Sequence, residues 1–208
     1  MKEKWFFDCS CPRCLDSTEL GSYFGSILCD NRKCGGPVIS SDPSNNLSDF
    51  HCQKCGKTMS YATVMSVIST SEKMILNNDT KDGVIEHYER ILDKLSSVLH
   101  PGNYLMLELK QKLGLLYGNI FPHTINRMKR PARDRKVQLC YDVIKQLSKI
   151  ESGMSEWRIV MMTELAKMTQ DGGYLEDNPD PDGRRGMMAR FLLNDGMLTL
   201  TNCLQLCK

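Results

Sequence analysis

The 208-residue sequence contains no apolar run approaching the roughly 20 residues that a membrane-spanning helix needs. Its N-terminus, MKEKWFFDCSC, lacks the apolar stretch of a secretory signal peptide, so export is not indicated. An excess of one charge is also missing, because 27 basic and 25 acidic residues leave a net charge of +2. That balance by itself indicates neither nucleic acid nor membrane as a partner. Because no export signal is present in the sequence, we expect a protein of a reducing compartment, the cytoplasm or the nucleus.

Cysteine, by contrast, is abundant, and seven of the ten cysteines fall within the first 55 residues. Four of these follow the spacing C-x4-C-x17-C-x2-C: Cys29, Cys34, Cys52 and Cys55. In a chain without an export signal, paired cysteines at such spacings are typical of zinc rather than of disulfides. Zinc prefers four tetrahedral ligands, so this set predicts a complete zinc site. Four structural or free cysteines are the alternative.

The other three cysteines of this region, Cys9, Cys11 and Cys14, form C-x-C-x2-C and offer a metal three ligands without a fourth. The candidates for the fourth ligand within the chain are His51, Cys140, Cys203 and Cys207. None of them has a local partner that marks it as a ligand, and Cys140 falls on an apolar helix face, where a buried free thiol is the simpler interpretation. Since only eight residues precede the cluster, we expect the protein to begin partway through a domain.

The two parts of the chain differ in composition. Residues 1–57 are rich in Cys, Gly, Ser, Asn and Asp, and metal ligation would replace the apolar core that this segment lacks. Residues 58–208 contain about six segments with apolar residues at three- and four-residue intervals. The predicted fold is therefore mostly α, with a small zinc-bound, cysteine-rich N-terminal module (1–57) and a helical domain (58–208).

Four amphipathic helices are predicted from apolar stripes over residues 84–99, 105–116, 137–147 and 157–168. His100-Pro101-Gly102-Asn103 ends the first, because Pro and Gly break a helix, and Asn103 can cap the second. Ser155 is the predicted cap of the fourth. Residues 176–186 are predicted to form a loop, and residues 187–206 are apolar enough for a closing helix.

The first two predicted helices resemble the next two at an offset of 53 residues: Tyr88 matches Tyr141, Ile91 matches Ile144, and Tyr104 matches Trp157. Such a match fits stacked hairpins of the tetratricopeptide (TPR) kind, although that repeat has a shorter period, about 34 residues. An irregular helical bundle would give the same apolar periodicity.

The residues Trp5-Phe6-Phe7-Asp8-Cys9-Ser10-Cys11-Pro12-Arg13-Cys14 resemble the post-SET segment of SMYD-type protein lysine methyltransferases, whose pattern is Y-x-F-x-C-x-C-x-R-C. The segment Leu99–Tyr104, followed by Leu113–Gly118, resembles the helical-domain hairpin of the same family, and the four-cysteine set resembles an insert of one subgroup. The resemblance implies that Cys9, Cys11 and Cys14 bind zinc together with a cysteine of the SET core. It also implies that Phe7 lines the S-adenosylmethionine pocket. Trp5 stands where the family usually has a tyrosine near the lysine channel.

In that family the SET core and the MYND zinc finger precede this segment, and neither fits into eight residues. We therefore expect a zinc-binding C-terminal portion of a SMYD-like methyltransferase, or a truncated relative, that is inactive by itself. S-adenosylmethionine would bind only if a SET core is present. The resemblance further implies that the helical domain narrows the substrate cleft and contacts partner proteins, including chaperones. A free-standing zinc-and-helix interaction adaptor is the alternative.

Nucleic acid is a less favoured partner, although the sequence contains one basic run: Arg127, Lys129, Arg130, Arg133, Arg135 and Lys136. The run has no interleaved aromatic residues, and the charge of the whole chain is nearly balanced. A basic loop on a solvated surface is therefore the preferred interpretation.

Overall fold

The computed structural model describes residues 9–31, 33–77, 83–120, 124, 127–151 and 155–170. The strands in this part of the chain are β1 (Ile27–Leu28), β2 (Pro37–Ser40), β3 (Phe50–Cys52) and β4 (Thr58–Met59). The helices are α1 (Tyr61–Leu76), α2 (Val84–Ser96), α3 (Tyr104–Leu116), α4 (Arg130–Ile150) and α5 (Glu156–Gln170). The prediction of a mostly α fold is confirmed. No helix in the ranges described is both long and apolar enough to cross a membrane.

Several predictions fall outside the described residues: Trp5, Phe7, Cys203, Cys207, the loop 176–186 and the closing helix 187–206. The chain packs into two compact units, Met1–Leu109 and Lys110–Lys208. The predicted division at residues 57 and 58 stays a prediction.

The first unit contains a four-stranded antiparallel sheet in the order β1-β2-β3-β4. Val38 on β2 lies opposite both Ile27 on β1 and Cys52 on β3, and all three side chains are buried. Because side chains directly opposite one another point to the same face of a sheet, these residues form its inner surface. The sequence did not predict this sheet, since strands of two to four residues are too short to show an alternating pattern.

Helix α1 is capped at its N-terminus by Ser60, whose Oγ accepts a hydrogen bond from the backbone N–H of Thr63 at 3.3 Å. It buries Val64, Ile68 and Ile75. The intervals of four and seven residues between them place these side chains on one face of the helix. None of the four predicted stripes covers this helix.

Helices α2 and α3 agree with two of the predicted stripes. The first stripe is predicted to run to Leu99, but α2 ends at Ser96, and Leu99 is buried beyond it, where it pairs with Ile27 of β1. The predicted cap of α3 is confirmed, because Asn103 Oδ1 accepts a hydrogen bond from the backbone N–H of Leu105 at 3.0 Å.

The second unit contains helices α4 and α5, which pack against each other. The predicted third stripe lies within α4, where Cys140, Ile144 and Leu147 are among its buried residues. Ser155 caps α5 as predicted, accepting a hydrogen bond from the backbone N–H of Arg158 at 3.4 Å. Trp157, which the prediction placed in the apolar stripe of this helix, is 50% exposed.

Lys136 corrects the interpretation of the basic run as a solvated surface, because its side chain is fully buried. Its Nζ donates hydrogen bonds to the carbonyls of Gly114 and Tyr117, at 2.8 and 2.6 Å, and to Glu164 Oε2 at 2.6 Å. The two carbonyls belong to the C-terminal end of α3, where a positive charge is favourable. Burial alone would raise the pKa of Glu164, but hydrogen bonds from Lys136 and Lys167 lower it below its usual value.

Candidate metal centres

The sheet brings the four predicted cysteines together, which we call the four-cysteine site. Cys29 and Cys34 lie in the β1–β2 connection, whereas Cys52 ends β3 and Cys55 lies in the turn to β4. All four Sγ atoms lie within 4.8 Å of one another. The Sγ atoms of Cys29 and Cys55 are 3.7 Å apart, and those of Cys34 and Cys52 are 3.5 Å apart.

These separations fit zinc. A tetrahedron of Zn–S bonds of about 2.3 Å places its sulfurs about 3.8 Å from one another. Disulfide sulfurs are only about 2.05 Å apart, and the four cysteines are free thiols. The residues present can therefore hold a zinc ion with four thiolate ligands, a closed arrangement that is typical of structural zinc.

Backbone amides at the site are directed towards the sulfurs. Burial would raise the pKa of Cys52, but the N–H groups of Cys55 and Lys54 donate to its Sγ and lower the pKa to about 7. At Cys29 the N–H of Asn31 also lowers the pKa, yet burial and the neighbouring thiols of Cys55 and Cys52 raise it to about 12. Four like charges therefore oppose one another at this site unless a cation lies between them.

Glycines and lysines complete the surroundings of the four-cysteine site. A Cβ at Gly36 would lie 2.6 Å from Lys54 Cβ and 2.8 Å from Cys52 Sγ, so no larger residue fits there without a shift. Lys54 Nζ donates to the carbonyl of Cys34 at 2.8 Å. Lys57 forms a half-exposed ion pair of 2.7 Å with Asp30, the residue after Cys29.

Cys9, Cys11 and Cys14 form a second group, the three-cysteine cluster, with their Sγ atoms within 4.8 Å of one another. The backbone N–H of Cys14 and the thiols of Cys9 and Cys14 donate to Cys11 Sγ and lower its pKa to about 7, with a smaller contribution from the N–H of Arg13. The Cys14 thiol donates hydrogen bonds to the sulfurs of Cys9 and Cys11, which favours its protonated form and raises its pKa to about 11. Among the residues that the structure describes, no further His, Cys, Asp or Glu joins this group.

Two of the candidates for a fourth ligand can be located. His51 lies on β3, where its Nδ1 is 3.1 Å from Ser41 Oγ. Cys140 is a free, buried thiol in α4, as predicted, and burial raises its pKa to about 12. Cys203 and Cys207 lie outside the described residues.

The segment between the three-cysteine cluster and the four-cysteine site was not predicted to have an ordered structure. Residues 15–28, which we call the connector, run from the three-cysteine cluster into β1. Near the start of the connector, Asp16 accepts two hydrogen bonds of 2.8 Å from the backbone N–H groups of Thr18 and Leu20. The Asp-Ser-Thr sequence at positions 16–18 is a turn signal that could have indicated this structure.

Comparison with curated proteins identifies a relative with a SET domain. The chain is 27% identical over 105 residues to the SET domain-containing protein SmydA-8, isoform A, of Drosophila melanogaster. The matched region is 50% of this chain and 22% of that protein. Half of this chain is thus similar to a SMYD-type SET protein. Isoform B matches with the same identity over 23% of its length, and no family model matches the sequence.

Proposed function

We propose that this chain corresponds to the post-SET zinc segment and the helical C-terminal region of a SMYD-like protein lysine methyltransferase. The observation that carries the proposal is the three-cysteine cluster. Cys9, Cys11 and Cys14 converge as three thiol ligands, with no fourth among the described residues. Zinc prefers a fourth ligand, and in the family that this segment resembles, a cysteine of the SET core supplies it.

In this proposal the zinc ions are structural and the chain is not catalytic by itself. Methyl transfer to lysine needs a bound sulfonium donor and a pocket that aligns the amine. Phe7 would line the S-adenosylmethionine pocket only when a SET core is present. Trp5, at a position that is usually tyrosine, lacks the phenol hydroxyl, so no catalytic role is assigned to it.

The helical region is proposed to narrow the substrate cleft of the complete enzyme and to bind partner proteins, a chaperone among them. The residues Leu99–Tyr104, between helices α2 and α3, support this assignment through their resemblance to the family's helical domain. Lysine-bearing proteins, including histones, are the proposed substrate class of the complete enzyme.

Zinc stoichiometry on the purified chain, measured together with thiol reactivity, tests the proposal. We expect close to one tightly held zinc per chain, with Cys9, Cys11 and Cys14 open to alkylation. A Cys11→Ser variant should keep this zinc, whereas Cys52→Ser should lose it. Addition of a SET core of the SmydA-8 type should then protect the three thiols and raise the zinc content towards two.

A free-standing zinc-and-helix adaptor is the second candidate, because the four-cysteine site is complete within the chain. This alternative predicts two zinc ions per monomer, held equally tightly, with all seven N-terminal cysteines protected without any added protein. That result would overturn the proposal of a fragment that requires a SET core.

A further inference from the structure

Residues 98–104, which we call the α2–α3 turn, contact the second half of the connector, residues 22–28. The N–H of Leu28 donates to the carbonyl of Val98 at 2.8 Å, and the N–H of Tyr104 donates to the carbonyl of Phe24 at 2.8 Å. These two bonds join residues that are 70 and 80 positions apart in the sequence. The turn therefore joins two helices and also forms hydrogen bonds that hold the connector.

Two residues of the α2–α3 turn fit the connector too closely for replacement by a larger side chain. A Cβ at Gly102 would lie 2.0 Å from the carbonyl oxygen of Ser22, which is itself fully buried. Asn103 is also fully buried, and its Nδ2 donates to the carbonyl of Ser26 at 2.9 Å while its Oδ1 caps α3. One side chain thus starts a helix and holds the connector.

The connector needs this support because its backbone is strained. Glu19, Leu20 and Tyr23 have φ values of 51°, 61° and 59°, a left-handed conformation that residues other than glycine rarely adopt. Such a conformation persists only where the surrounding structure enforces it. The connector also continues directly from the three-cysteine cluster, with the N–H of Asp16 donating to the carbonyl of Arg13 at 3.3 Å.

Tyr23, in the connector, contacts both the α2–α3 turn and a residue next to the four-cysteine site. Its ring lies 4.7 Å, centre to centre, from the imidazole of His100 in the α2–α3 turn. Its hydroxyl donates to Gln53 Oε1 at 2.9 Å, and Gln53 follows the ligand Cys52. Tyr23 therefore contacts both the turn and the backbone loop that holds Cys52 and Cys55.

From these contacts we infer that the α2–α3 turn positions the three-cysteine cluster for metal binding. Asn103 and Gly102 act through the connector, and Tyr23 couples the cluster to the four-cysteine site. None of these three residues is a ligand. The inference rests on the proposed function only in requiring that Cys9, Cys11 and Cys14 bind a metal.

The test is a Co²⁺ titration of the full chain after one equivalent of zinc has been added. Thiolate-to-cobalt charge-transfer absorption reports the remaining site, and its loss in Cys11→Ser identifies that site as the three-cysteine cluster. Asn103→Ser keeps a capping hydroxyl but loses the amide that reaches Ser26, so we expect about tenfold weaker cobalt binding. Tyr23→Phe removes one exposed hydrogen bond and should weaken binding about threefold.

Gly83→Ala is the matched control. Gly83 has a φ of +98° in the same unit, and an added Cβ there would meet only the Glu86 side chain, so this variant lowers stability without touching the connector. Its cobalt affinity should equal that of the wild type. Unchanged affinity in folded Asn103→Ser and Tyr23→Phe, or an equal loss in Gly83→Ala, would overturn the positioning role alone. A wild-type cluster that binds cobalt neither alone nor with an added SET core would instead overturn the metal assignment and, with it, this inference.

Discussion

The four-cysteine site, in which three of the four thiols are buried, and the Lys136–Glu164 pair both hold ionisable groups away from water, but they balance the charge differently. The four thiols are of one kind, and when ionised they repel one another, so the cation that balances them must come from solution. Lys136 and Glu164 provide opposite charges from within the chain. The comparison predicts that the sheet depends on a metal ion from the medium, whereas the α4–α5 pair carries its own counter-charge.

Metal removal should give the largest difference between the two regions. A strong chelator is expected to unfold β1–β4, because structural zinc contributes about 10–16 kcal/mol in small zinc domains. Amide hydrogen exchange would show lost protection at Ile27 and Val38, with protection at Val143 and Ile144 retained. Strands that remain protected after complete zinc removal would show that their apolar core suffices.

Glu164→Gln should destabilise the second region, α4–α5, and leave the zinc-binding region unaffected. The substitution leaves the buried Lys136 ammonium without its counter-charge, which costs about 3–5 kcal/mol of unfolding free energy. Urea denaturation followed at α4–α5 measures this loss, and zinc content should not change.

Lys167→Gln is the control for Glu164→Gln, because Lys167 also contacts Glu164 but is 41% exposed. Its removal should cost less than about 1 kcal/mol. Equal effects of the two substitutions would contradict the assignment of Lys136 as the partner that matters.

Gly36→Ala should weaken zinc binding at the four-cysteine site by about tenfold, the lower end of the effect of altered ligand surroundings. The added methyl group would press on Lys54 Cβ and Cys52 Sγ. A competition assay with a chromogenic chelator measures the zinc affinity. Gly35→Ala, at a φ of +58° with open space around the Cβ position, should lower stability and leave the affinity nearly unchanged.

The acid dependence of Glu164 should give the smallest effect. The folded-state pKa of Glu164 is lowered, so its contribution to stability is complete above the unfolded-state pKa of about 4.3. That contribution is lost as the pH falls through the lower, folded-state value. The stability difference between wild type and Glu164→Gln should therefore narrow as the pH falls below about 4, and parallel curves would contradict the shift. Zinc release in acid affects both proteins equally and cancels in the comparison.

Much of the helical region could be predicted because its signals are local. The caps Asn103 and Ser155 and the apolar periods of α2 to α5 are readable within a few residues. The two cysteine groups are likewise visible in their spacing. Helix α1 was not predicted, although its buried residues Val64, Ile68 and Ile75 follow helical intervals.

The remaining features depend on partners that are distant in the sequence. Lys136 belongs to a basic run, and only contact with Glu164, 28 positions later, places it in the core. Leu99 is buried although α2 ends at Ser96, because its partner Ile27 lies more than 70 residues earlier. Strands β1 and β4, of two residues each, exist only through pairing with their neighbours.

The pairing of β1 with the α2–α3 turn also bears on solubility during folding. Ile27 and Leu28 are apolar, and an uncovered strand of this kind at the edge of a sheet is a template for aggregation. Ile27 pairs with Leu99, and the N–H of Leu28 donates to the carbonyl of Val98, so that edge has no free row of backbone donors. Until residues 98 and 99 have been synthesised, a nascent chain would expose this edge, and chaperone binding would be most useful during that interval.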